Sequence, residues 1–144
     1  MFDTILGLPQ HPLVVHAVVV LLPLMAVATA VVALRRPWRE RFAWPVVVAD
    51  LLVLGASFAA KESGEALQRR LGVRVDDHVR WGDSVPLAAL GLVVAALLVA
   101  LGRRRPGLSG VATVLAVVAG AATVFWVLQA GHTGASAVWG GVVR

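Results

Sequence analysis

A chain of 144 residues has the length of one domain, but 59% of it is hydrophobic and its mean hydropathy is +0.85. A soluble domain of this size needs a largely polar surface, so this composition excludes one and calls for a backbone satisfied inside lipid as helix. The net charge of +5 sits in short arginine clusters between apolar runs, where it reads as a topology signal and not as a nucleic-acid surface. The absence of cysteine excludes disulfides, thiolate metal sites, iron–sulfur clusters and covalent haem attachment.

Residues 1–10 carry only Asp3 as a charge and lack the positive n-region of a secretory signal, so the first apolar run is expected to be retained. That run, 12–34, is long enough to cross about 30 Å of hydrocarbon. Pro12 suits its first turn, and Pro23 is expected to bend it. The linker RRPWRERF follows, with Trp38 as an interfacial anchor. A second span is predicted over 44–62, its helical pattern continuing through KESGEALQRR until Gly72 stops it. Asp50, Leu54, Ser57, Lys61 and Gly64 share one face there, a polar stripe that should point into a bundle. The stretch GVRVDDHVRWGDS, 72–84, reads as the longest polar connection. Spans are predicted over 84–102 and 108–130, joined by the basic turn GRRRPG; glycines in the tail GHTGASAVWGGVVR argue against further helix. No internal repeat stands out. The fold class is therefore all-α: an integral membrane, antiparallel four-helix transmembrane bundle forming one domain over 1–144.

Four crossings bring both termini to one side. Arg35, Arg36, Arg39, Arg41 and Arg103 to Arg105 crowd two very short loops on the other, so those loops are expected in the cytoplasm and both termini outside.

The chain has four histidines, His11, His16, His78 and His132, all at the edges of apolar runs and all brought by this topology to the outer face. Imidazole is the natural neutral ligand for haem iron, copper and zinc, so this convergence points to a cofactor or metal site inside that interface. No histidine pair has the i, i+3 or i, i+4 spacing of a compact metal motif. His11 and His16 are five residues apart, about 140° around a helix, and cannot both face one small site. A ligand pair is expected from His16, His78 and His132, with His11 at the helix mouth as the weakest candidate. Lys61, Glu62 and Glu65 lie near the presumed site as a solvated cap or, alternatively, as partners of haem propionates or part of a metal shell, with Asp77 beside His78 as a further outer-shell candidate. Asp50 is an intramembrane acid and by default a functional candidate; the favoured expectation is that it sits near the cytoplasmic edge, protonated or bonded to a hydroxyl such as that of Thr29. Phosphate-cradling glycine loops, the G-x-S-x-G elbow and H-E-x-x-H are all missing, which argues against a hydrolase or a nucleotide-dependent enzyme.

The opening LPQHPLVVHA resembles the L-P-x-H-P-x-x-V-H start of a bacterial membrane family, domain of unknown function 2231. The resemblance runs on through KESGEAL and DDHVRWG to the closing GHTGASAVWG, where Trp139 replaces the family's usual tyrosine, so no phenol role carries over. It implies a four-helix protein of the bacterial cytoplasmic membrane. Fusion of some members to Rieske-type or cytochrome c domains implies electron transfer with such partners. The expected function is thus a non-enzymatic, membrane-embedded haem b electron carrier with two histidine ligands near the outer face. The alternatives are a copper, zinc or iron site built from three or four of the histidines, and an assembly subunit without a cofactor.

Overall fold

Long apolar runs broken by prolines and arginines become four helices in the computed structural model, which describes residues 4–5, 8–72 and 76–140. Two short strands, β1 (Thr4–Ile5) and β2 (Leu8–Pro9), pair antiparallel ahead of α1 (Gln10–Leu34), α2 (Arg36–Leu71), α3 (Asp76–Gly102) and α4 (Pro106–Trp139). All four helices are long and apolar enough to cross a membrane. Arg35 and Arg105 hold extended backbone, and Pro37 and Pro106 then occupy the first helical turns, where a missing N–H costs nothing. Gly72 ends α2 as the sequence predicts: it adopts φ 64° and donates its N–H to the Gln68 carbonyl at 3.0 Å.

Three boundaries differ from expectation. The second helix begins at Arg36 and not at 44, running through Pro45 with Arg36–Glu40 and Trp38–Phe42 as i, i+4 partners along its first turns. The third begins at Asp76 and not at 84, so the expected polar connection is largely helix. Asp77 lies in its first turn, where a carboxylate complements the helix dipole. The fourth continues to Trp139, well past 130. Packing overrides the glycine propensity there, as the site below makes clear.

Each helix packs on two neighbours: α1 and α3 both contact α2 and α4, and they face each other across the diagonal. The core divides in two. Toward the arginine turns it is alanine-rich, with Ala33, Ala43, Ala95, Ala96, Ala100, Ala112 and Ala116 beside Val32, Val47 and Val99. Toward the other end it is built from Val18, Leu22, Val53, Ala60, Val85, Ala89, Val127 and Ala130. The stripe predicted on α2 does face inward, with Asp50 and Ser57 buried. Thr29 Oγ1 donates to Asp50 Oδ2 at 2.9 Å, the local bond the sequence suggests.

The arginines do more than mark topology. Arg39 Nη2 donates to the Ala33 carbonyl at the end of α1, and Arg103 Nη1 donates to the Ala100 carbonyl near the end of α3 at 3.1 Å. Both satisfy carbonyls that a helix C-terminus leaves unpaired.

Candidate functional site

The end of the bundle opposite the arginine turns opens around a cavity of about 510 Å³. Valines from α1, α3 and α4 form much of its apolar wall, and the rings of His11 and His78 line it. The two ring centres are 6.5 Å apart, and their planes cross at 70°.

The two histidines are held in the same way. His11, on the first turn of α1, places Nδ1 3.1 Å from the Ala60 carbonyl of α2 and 3.2 Å from Ser63 Oγ. His78, on the first turn of α3, places Nδ1 3.1 Å from the Ala130 carbonyl of α4. A carbonyl only accepts, so each Nδ1 carries a proton and donates; in the neutral ring that leaves the lone pair on Nε2. Four residues beyond each carbonyl lies a glycine under the ring. A Cβ on Gly64 would sit 2.8 Å from His11 Cε1, and one on Gly134 would sit 3.0 Å from His78 Cε1. These two glycines are therefore seats for imidazole rings. The second seat requires helix through 134, which is why α4 does not stop at 130.

The correspondence extends to the buried face of α1 and α3 and to a short stretch of α2 and α4, against the expectation that no repeat is present. Ala60-Lys-Glu-Ser63-Gly64 on α2 matches Ala130-Gly-His-Thr133-Gly134 on α4. His78 follows His11 by 67 residues. Shifted by that amount, the buried residues of α1 (Val18, Leu22, Ala26, Thr29, Val32 and Ala33) fall on Val85, Ala89, Val93, Ala96, Val99 and Ala100, all buried in α3. The bundle is a duplicated helical hairpin, and each copy contributes one histidine to the shared cavity.

Sequence reasoning ranked His11 last, yet its ring is the one beside His78. His11 and His16 both line the cavity, at different depths. His11 takes the inward direction, while His16 is exposed at the cavity rim with Nδ1 turned back to the Pro12 carbonyl. His132 is exposed on α4 and lines no part of the cavity. Of the charged residues singled out, Lys61 and Glu65 line the cavity; Glu62 and Asp77 are exposed outside it. Lys61 Nζ lies 3.3 Å from Glu65 Oε1 and 3.6 Å from Asp83 Oδ1 of α3, and Arg69 reaches Glu65 at 3.5 Å. Asp50 stands apart from the site, on its bond to Thr29. Among the described residues no three His, Asp or Glu side chains come together as a metal-holding group, so a non-haem site of three or four histidines is not assembled.

Motifs at both ends of the chain thus meet in one site. The family model described as "Predicted membrane protein (DUF2231)" matches residues 7–144. The chain belongs to the DUF2231 family. That match covers both hairpins, so the duplicated site lies wholly within the DUF2231 region. No curated protein and no solved structure matches the chain.

Proposed function

We propose that this DUF2231 protein is a membrane electron carrier that holds one non-covalent haem b between His11 and His78. The observation that carries the reading is the paired imidazoles. Two imidazoles from separate helices that face one cavity are the residues that would hold a haem iron there. The rings here are 6.5 Å apart, and each directs its proton at a backbone carbonyl. That second contact is the usual one for a metal-bound histidine, because it fixes the tautomer and the ring orientation. A cavity of about 510 Å³ also falls within the range of about 300–1,000 Å³ typical of small-molecule sites.

When bound, haem supplies reversible one-electron chemistry at its iron. The chain's part is to offer two imidazoles oriented by backbone carbonyls, to hold them on glycine seats, and to line the space between them in part with valines. Ser63 Oγ, 3.2 Å from His11 Nδ1, gives that ring a second contact.

The carrier would sit in a bacterial cytoplasmic membrane with the arginine turns inside and the site near the outer surface, where a Rieske or cytochrome c partner could reach it. Cysteine at Ser84 should react with a membrane-impermeant reagent on intact cells, and cysteine at Ser109 should not; the reverse pattern would invert this orientation.

Absorption spectroscopy of protein purified after expression with ample haem tests the central reading. The wild type should show a low-spin haem spectrum. His11→Ala and His78→Ala should each lose it or become high-spin, while His16→Ala and His132→Ala should keep it. A colourless wild type would sink the proposal. Copper or zinc found by elemental analysis would favour a two-histidine metal site, and no metal at all would favour an assembly subunit.

A further inference from the structure

The two hairpins are alike in their buried residues and unlike around the cavity mouth. Where α2 carries Lys61 and Glu65, the matching positions of α4 are Gly131 and Ala135; where α3 carries Asp83, the matching position of α1 is His16. The gap between α2 and α3 is consequently bridged by an ion cluster, whereas the lining on the α4 and α1 side offers His16, Val19, Gly131 and Ala135 and no ion pair. A cavity with an ion cluster at one mouth and none at the other orients an amphiphile.

Resting on the haem reading above, we infer that the cavity selects a planar ligand with carboxylates along one edge, and that Lys61 anchors that edge at the α2–α3 mouth. Lys61 is the one lysine or arginine among the described residues lining the cavity. Its two acidic partners are not equivalent. Glu65 is on the same helix and is shared with Arg69, so part of its charge is already balanced. Asp83 makes the longer pair, at 3.6 Å, from a side chain that is 45% exposed and free to turn to water. An arriving carboxylate can therefore replace Asp83 on the ammonium, with little loss because an exposed pair contributes little to begin with. The opposite, uncharged edge of the ligand then lies toward Gly131 and Ala135, where small residues leave room and the surroundings are lipid. Lys61 is a specificity-determining residue in this account and takes no part in iron ligation.

Titration of the detergent-solubilised full-length apoprotein with haem and with haem dimethyl ester, followed by absorbance, tests this. The wild type should bind the diacid about tenfold more tightly than the ester, the scale of one charge-assisted contact. Lys61→Gln should weaken the diacid to the level of the ester and leave the ester unchanged. Lys61→Arg should retain the preference, and Asp83→Asn should strengthen diacid binding by removing the competing carboxylate. Equal wild-type affinity for the two ligands, or equal weakening of both in Lys61→Gln, would overturn the assignment while leaving histidine ligation standing. If the wild type binds neither ligand, both this inference and the haem reading fall.

Discussion

The two ends of the bundle use the same four helices to opposite effect. Toward the arginine turns, alanine at position after position lets the backbones approach closely, and a Cβ on Gly120 would sit 3.2 Å from the Ala26 carbonyl of α1. Close approach by small residues is the usual means of holding membrane helices together, because lipid offers no hydrophobic drive between them. Toward the histidine end the core residues are larger but the centre stays open, and the polar atoms that enter it are fixed by hydrogen bonds to backbone. One end gives the bundle its cohesion, and the other spends part of that cohesion on keeping a cavity and two oriented rings.

The sharpest way to break this contrast is to enlarge a side chain at the closed end. Ala116 is fully buried, and Ala116→Leu should destabilise the bundle by about 1–3 kcal/mol through overpacking. Thermal or denaturant unfolding in detergent would read it, and an unchanged midpoint would mean that the alanine core is looser than it looks. At the open end an added methyl should act on the ligand and not on the fold. Gly64→Ala and Gly134→Ala should each weaken haem binding by about 10–100-fold, the usual effect of disturbing a ligand's supporting shell, with little change in unfolding. Equal effects would sharpen the symmetry of the two seats; an effect at only one would break it. The buried Thr29–Asp50 pair should give the smallest changes. Thr29→Val removes the donor to Asp50 and should cost about 1–2 kcal/mol. Asp50→Asn keeps an oxygen for Thr29 in a side chain of the same shape, so its unfolding midpoint should move by less than that of Thr29→Val. Loss of redox function in Asp50→Asn with folding intact would give Asp50 a part in proton transfer.

Much of this was legible in the sequence, and what was not has a common cause. Helix α2 has a polar stripe, so its inward face, the Asp50–Thr29 bond and the stop at Gly72 can be read from spacing. Helix α1 is apolar all round, so nothing in its pattern tells which side faces the bundle. Angular spacing could separate His11 from His16 but could not say which one turns inward. The ends of α3 and α4 went unread for another reason. Local propensity counts the cost of Gly131 and Gly134 in a helix, but it cannot see that His78 needs a glycine beneath its ring. The signal that would have corrected both errors is the repeated A-x-x-[S/T]-G at 60–64 and 130–134. It is faint because the duplicated halves share small residues and few others.

The pairing of His11 with His78 also sets an order of events during synthesis. The first ring leaves the ribosome 67 residues ahead of its partner, and the carbonyl and glycine that seat the second ring follow only with Ala130 and Gly134. Until Ala130 and Gly134 are made, the chain therefore holds the carbonyl and glycine that seat His11 but not those that seat His78. A ligand that requires both rings cannot be captured on the nascent chain. It must be loaded after the fourth helix has been inserted, so an insertion arrest before residue 130 should leave a membrane-anchored fragment that takes up no cofactor.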